Sequence, residues 1–224
     1  MAGGILLLSG MLLVLSPVVA IPLHGVVQLA SNSTRLLVFR EHIHWPIVAA
    51  FAPLAAVGSA LGVQVVMAVP EAWLKLGIGL FILGATHLPK KPKGSGREVS
   101  LAVFAPLGLV AGFLGMLVGA TGPFIAPLFL RAKVLKEGLI ATKATCQAFV
   151  HLFKLFAFGA IGFAYDAHFG LLAVLTVMVV FGTFVGKRLL KLVSERLFVV
   201  ALKVVLTAVA LKLVLVDAIP GLLA

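Results

Sequence analysis

The chain has 224 residues, of which 62% are hydrophobic and 11% are charged. Its mean hydropathy of +1.22 excludes a water-soluble globular domain and predicts an all-α polytopic integral membrane protein. Eighteen Lys and Arg exceed seven Asp and Glu, and these basic residues lie between or at the ends of apolar segments, which argues against a nucleic-acid partner.

Hydropathy divides the first half of the chain into four helical segments: 2–16, 17–39, 45–69 and 70–88. The first segment is short for a full crossing, which needs about 20 residues. It ends at Ser16-Pro17, where a capping residue precedes a proline that suits the start of a new helix. A basic turn follows the second segment at 40–44, and the third segment has no charge and is long enough to span a membrane.

A hydrophilic linker, PKKPKGSGRE at 89–98, separates this half from the second. The second half is divided into the segments 99–130, 138–164, 169–186 and 197–216. The first of these runs 32 residues without a charge, too many for one ordinary span, so its glycines predict a span, a turn and a half-helix. We therefore predict a first repeat at 1–88, a cytoplasmic linker and a second repeat at 99–224.

The two halves carry related residues at a numerical offset of 119, since 147 − 28 = 119. At that offset Gln28 pairs with Gln147, Asn32 with His151, Arg35 with Lys154, and Gly3-Gly4 with Gly122-Pro123. Further along the chain, Gly58 and Gly62 correspond to Gly182 and Gly186. An internal repeat in a membrane chain is typical of a transporter.

Charge predicts that these repeats are inverted. The basic turn at 40–44 corresponds to an acidic turn near 166, and the turn at 69–71, without Lys or Arg, corresponds to a basic turn at 187–196. Matching turns thus belong on opposite faces of the membrane. We expect eight or nine membrane segments, some of half length, with the basic turn at 131–136 in the cytoplasm and the C-terminus outside. Relative to the second half, we expect the first repeat to lack an initial helix.

The break at Thr121-Gly122-Pro123 predicts a binding site. Unpaired backbone groups within lipid cost several kcal/mol each, so an interrupted helix persists only inside protein or beside a water-filled cavity. Thr121 suits a cap and Pro123 suits the first position of a new helix, whose N-terminal N–H groups attract an anion. Gly3-Gly4 would begin the corresponding half-helix.

Two stripes of polar residues accompany these breaks. Each has the spacing i, i+4 and i+7, so each lies along one helix face, and the nearby charges are cationic without a carboxylate. An anion would supply the missing counter-charge. The predicted substrate-binding residues are Gly3, Gly4, Gln28, Asn32, Arg35, Gly119, Thr121, Gly122, Pro123, Gln147, His151 and Lys154. The proton-coupling candidates are His24 and His151, because histidine titrates near neutral pH.

Several of these residues also have structural interpretations. Arg35 and Lys154 would equally fit helix ends whose side chains extend to the interface. Lys143, beside a basic turn, fits an interfacial anchor better than a ligand. His151 also fits a hydrogen bond between helices. The small-xxx-small pairs at 58/62 and 182/186 favour close helix packing over substrate contact.

Four stretches carry a resemblance to a known family: the glycine-rich break at 115–123, PLHGVVQLASNSTR at 22–35, the basic turn before Trp45, and ATKATCQAFVHLFK at 141–154. Together they resemble the TauE/SafE family of sulfite exporters over nearly the whole chain. The resemblance implies a multi-pass inner-membrane permease that exports sulfite, sulfonates or related small organic anions, with proton coupling as an expected mode. Thr121-Gly122-Pro123 stands where a run of glycines is more usual in the family.

Other function classes fit less well. Glu41, His42 and His44 could ligate a metal, as could Asp166 and His168, but neither set has the helical spacing of a metalloprotease and no serine-nucleophile motif is present. We therefore expect no enzyme activity, metal or cofactor, and we expect a small anion and membrane lipid as partners. A carboxylate permease, a passive anion channel and a non-transporting membrane subunit remain alternatives, and monomer and homodimer are both left open.

Overall fold

The computed structural model describes residues 3–87, 99–118, 121, 125, 128–129, 132, 134, 136–189 and 194–223. Across these residues the fold is all-α, as predicted. The helices are α1 (Gly3–Met11), α2 (Pro17–Val38), α3 (Trp45–Ala68), α4 (Glu71–His87), α5 (Phe104–Val118), α6 (Lys136–Ala160), α7 (Phe169–Leu189), α8 (Glu195–Leu211) and α9 (Ile219–Leu223). A π-helical turn, Lys212–Ala218, joins α8 to α9. Short 3₁₀ turns precede α3, α5 and α7.

The helix starts follow local chemistry. Ser16 is extended, with φ −66° and ψ 154°, and Pro17 then begins α2, where a missing N–H is tolerated. Ser194 is also extended, and its hydroxyl accepts a hydrogen bond from Leu197 N at 3.3 Å at the start of α8. The boundary at Ser16-Pro17 is the predicted one, whereas α8 begins at Glu195, two residues before the predicted start at 197.

Helices α3 and α5 pack with their backbones nearly in contact. A Cβ atom at Gly58 would overlap the carbonyl of Leu109, and one at Gly112 would overlap the carbonyl of Ala55. At Gly62 the added atom would lie 2.8 Å from both Met116 Cβ and the Phe113 carbonyl oxygen. Small residues permit this approach, which gains van der Waals contact in an apolar environment.

This contact confirms the packing role predicted for Gly58 and Gly62. For Gly182 on α7, no atom of the described residues lies within 4 Å of the position of its Cβ, so its packing role stays a prediction. Its companion, Gly186, lies in α7, but its side-chain surroundings fall outside the described residues.

Two hydrophobic clusters flank the centre of the molecule. The first joins α1, α2, α4 and α8 and includes Leu8, Ile21 and Ile78. The second joins α3, α5 and the first part of α6 and includes Phe51 and Phe104. Helices α2 and α6 therefore meet between the two clusters, and this line of contact carries the polar residues described below.

One end of the molecule has a cavity of about 200 Å³ beside the connection between α1 and α2. Two ion pairs line it, Lys75 with Glu71 and Lys212 with Asp217, each with an N···O distance of 2.8 Å. The first pair has the i, i+4 spacing noted for helices. Both pairs are local, one within α4 and the other within the π-helical turn, so the cavity is lined by the start of α4 and by that turn.

Length and composition identify two described helices that could cross a membrane, Trp45–Ala68 and Val199–Leu223. The apolar helices Leu101–Leu117 and Asp166–Val179 are shorter. A buried helix of a soluble protein passes the same test, so the assignment to the membrane depends on further evidence. The number of crossings and the inverted relation of the repeats stay predictions.

A buried cationic seam between two helices

Eight polar side chains lie along the contact between α2 and α6, which we call the α2–α6 seam: His24, Gln28, Asn32 and Arg35 on α2, and Lys143, Gln147, His151 and Lys154 on α6. Two contacts show that the helices run antiparallel. Near one end of the seam, His24 of α2 lies against His151 of α6. Near the other end, His44, which lies between α2 and α3, donates from its backbone N to Thr142 Oγ1 at the start of α6 at 2.9 Å. Spacings of three and four residues place each set on one helix face.

His24 is completely buried, and its orientation is fixed by a hydrogen bond. Its Nε2 lies 2.9 Å from the carbonyl oxygen of Gly4. Because a carbonyl oxygen accepts but cannot donate, the bond assigns the hydrogen to Nε2 and leaves Nδ1 of the neutral ring as an acceptor. This buried Nδ1 has no hydrogen-bond partner among the described residues. His24 Nδ1 thus presents a buried lone pair without a donor in the described residues.

His151 lies opposite His24. The two ring centroids are 6.0 Å apart and the rings meet edge to face at 76°. His151 is 4% exposed, and its Nδ1 also lacks a hydrogen-bond partner within the described part of the chain. The interpretation of His151 as a satisfied interhelical hydrogen-bond partner thus does not account for this nitrogen.

Lys154 is completely buried one turn beyond His151. Its Nζ has no hydrogen-bond partner in the described residues, so it does not reach an interface as a helix-end lysine would. Its aliphatic stem passes over Gly25, where a Cβ atom would lie 2.7 Å from Lys154 Cδ. A glycine at this position of α2 thus makes room for the lysine.

The seam has no carboxylate within the described residues. The described acidic residues occupy turns or positions near helix ends: Glu41, Glu71, Glu137, Asp166, Glu195 and Asp217. A cation within a membrane segment is costly unless it is paired or faces a cavity. Lys154 is thus a buried cation without a counter-charge among the described residues, and we call its cluster with the two imidazoles the central station.

At the other end of the seam, Asn32 and Arg35 form a short chain of hydrogen bonds. Asn32 is 2% exposed; its Nδ2 donates to the Gln28 carbonyl at 2.9 Å, and its Oδ1 accepts from the Arg35 guanidinium at 3.1 Å. Arg35 is itself exposed, so an interfacial position for it agrees with the structure. Gln147 on α6 is half-buried.

The half-helix predicted at the start of the chain is present as α1, of nine residues. It begins at Gly3, and a Cβ at Gly4 would lie 3.2 Å from Gln28 Nε2, so the start of α1 adjoins the seam. Thr121 is buried at 4%, and its carbonyl accepts from Ile125 N at 3.3 Å, as in a helical turn. The predicted residues Gly119, Gly122 and Pro123 lie outside the described residues.

Sequence reasoning missed two residues of the seam. Gly25 has no distinguishing pattern until Lys154 is known to lie across from it. Lys143 was assigned to an interface, yet its side chain is 9% exposed, so the anchor interpretation is wrong. Its position four residues before Gln147 was a usable signal, because it continues the α6 stripe by one turn.

A helical bundle that buries ionisable side chains between apolar clusters is typical of a membrane protein with a substrate or ion pathway. The particular family follows from comparison of sequences: residues 1–213 match the family model described as Sulfite exporter TauE/SafE. The chain belongs to this family of membrane transporters, which confirms the resemblance noted from its motifs. A comparison with curated proteins and one with solved structures find no significant match.

Proposed function

We propose that the protein is a permease of the inner membrane that exports a small anion, sulfite or an organosulfonate, along the α2–α6 seam. The observation that carries the proposal is the buried Nζ of Lys154, which lacks a partner among the described residues and lies in the same cluster as two unpartnered imidazole nitrogens. Family membership supports transport of the sulfite-exporter type.

The chemistry of the central station favours an oxyanion. A lysine ammonium offers three donors and no acceptor, and charge-assisted hydrogen bonds to anionic oxygens are roughly twice as strong as neutral ones. Sulfite and sulfonates present three oxygens around one sulfur, so Lys154 can contact one, and the imidazoles can donate to the others when they are protonated. In a water-poor site this pairing offsets the cost of burying the ammonium.

The histidines supply a means of coupling to protons. His24 Nδ1 is an acceptor in the neutral ring, and protonation would convert it into a donor facing the same cluster. His151 lies within 6.0 Å, measured between ring centroids. Protonation of either ring would strengthen anion binding, so proton and anion occupancy would be linked.

Flux of radiolabelled sulfite in proteoliposomes tests this function, with acetate and a sulfonate as competitors. We expect saturable sulfite flux that the sulfonate inhibits more strongly than acetate does. Lys154→Gln should abolish it, whereas Lys203→Gln, which removes an exposed lysine from α8, should leave it unchanged. Stronger inhibition by acetate would instead support a carboxylate permease.

The same vesicles separate a carrier from a channel. An imposed pH gradient should drive sulfite against its concentration gradient, and His24→Asn should remove this accumulation. Flux that never exceeds electrochemical equilibrium would support the passive anion channel. A complete lack of anion flux by correctly inserted protein would favour a non-transporting subunit.

A further inference from the structure

The seam carries a second pair of cations, Arg35 and Lys143, which do not belong to the central station. Lys143 on α6 is 9% exposed although it lies only eight positions into its helix, and Arg35 lies three residues before the end of α2. Both belong to the end of the seam opposite Lys154. A lone interfacial lysine would extend into water instead of being buried.

The antiparallel register brings these two cations level. Gly25 of α2 contacts Lys154 of α6. From that contact, Arg35 lies ten residues further along α2 and Lys143 lies eleven residues back along α6, or about 15 and 16 Å at 1.5 Å per residue. The two like charges therefore lie at about the same height along the seam.

The surrounding contacts keep both groups at the seam. Asn32 accepts a hydrogen bond from the guanidinium of Arg35, and this asparagine is itself bonded to the backbone of α2. Next to Lys143, Thr142 is fully buried and accepts from His44 N, which attaches this turn of α6 to the start of α3. No ion pair joins Arg35 or Lys143 to a carboxylate in the described part of the chain, where the nearby Glu41 and Glu137 are exposed.

We propose that Arg35 and Lys143 bind a second anion at a loading station about 16 Å along the seam from Lys154. The ligand is a small oxyanion of the sulfite and sulfonate class, because a guanidinium contacts two oxygens of such a group at once and an ammonium contacts a third. This inference rests on the proposed function, since it assigns the same anion to a second position. Charge on the turns places this station toward the cytoplasm.

Stoichiometry of sulfite binding to purified protein in lipid-free detergent tests the proposal. Isothermal titration should give two sulfite ions per wild-type chain and one for Lys143→Gln. Arg35→Gln provides a second variant at a more exposed position and should also give one. Lys154→Gln should lose the other ion, and Lys203→Gln should retain both. Lys143→Arg should restore two ions, because the charge is kept.

Lipid phosphate has the same oxyanion chemistry, so the titration is repeated after addition of phosphatidylglycerol. Two sulfite ions with and without this lipid support a station for the free anion. One sulfite ion per wild-type chain, unchanged by Lys143→Gln, would overturn it, whether or not lipid phosphate binds there.

Transport distinguishes failure of this station from failure of the proposed function. Lys143→Gln should raise the KM for sulfite supplied from the side of the loading station at least five-fold. It should leave kcat within two-fold of the wild-type value. Saturable flux with an unchanged KM and two bound ions in Lys143→Gln would refute the loading station and leave the transporter intact. Two bound ions that depend on Lys143 in a chain without flux would refute export and leave the station intact.

Discussion

Substitution of Gly25 by alanine tests whether Lys154 has to occupy its observed position. The new Cβ would lie 2.7 Å from Lys154 Cδ, and ordinary contact begins at 3.4 Å, so Cδ has to move by 3.4 − 2.7 = 0.7 Å. For a lever arm of about 1.4 Å this is a rotation of about 30° away from the preferred side-chain torsion. Such a displacement costs about 0.5–1.5 kcal/mol.

If the strain is borne when the anion is bound, sulfite affinity falls between about 2-fold and about 12-fold. Titration calorimetry of Gly25→Ala against the wild type measures this change. Gly159→Ala on α6 is the matched control, because none of the described residues has an atom within 4 Å of its Cβ position. Unchanged sulfite affinity in Gly25→Ala, with wild-type stability in detergent, would show that the lysine position does not determine binding.

Further predictions concern stability and transport. Gly62→Ala should destabilise the fold by about 1–3 kcal/mol through overpacking against α5. Gly77→Ala should stabilise it by up to about 1 kcal/mol, because no atom of the described residues lies within 4 Å of the position of its Cβ. SDS unfolding in micelles measures both changes, and equal effects would contradict the packing argument. Thr142→Val removes the acceptor for a backbone amide at the start of α3 and should cost about 1–3 kcal/mol in that unfolding assay, with Thr142→Ser retaining most of the stability. Gln147→Ala or His151→Ala should reduce sulfite flux with normal membrane insertion, and unchanged flux in both would exclude the α2–α6 seam as the substrate site.

Local chemistry allowed the helices to be predicted closely. The segments predicted at 17–39 and 45–69 are the helices Pro17–Val38 and Trp45–Ala68. Proline at or near the first helical position defines both starts, and an extended serine precedes the first of them. The 32-residue apolar run was harder, because hydropathy does not say where a helix ends inside it; α5 occupies Phe104–Val118.

The site was predicted in part, for a physical reason. Periodicity within one helix identified the stripe containing His151 and Lys154, because those residues share a face of α6. The approach of Gly25 to Lys154 depends on how α2 and α6 are aligned with each other, and a single sequence contains no direct measure of that alignment. Burial of Lys143 depends on the same alignment. The sequence shows only that Lys143 lies beside a basic turn, and that position suggested an interface.

The near contact between α3 and α5 bears on how the protein is assembled. One partner precedes the linker at 89–98 and the other follows it, so the helix that covers Gly58 and Gly62 of α3 is synthesised later. While only the first half has been synthesised, this surface of α3 therefore contacts lipid or the insertion machinery instead of α5. The two halves are consequently not independent folding units, and native packing of the first half waits for biosynthesis of the second.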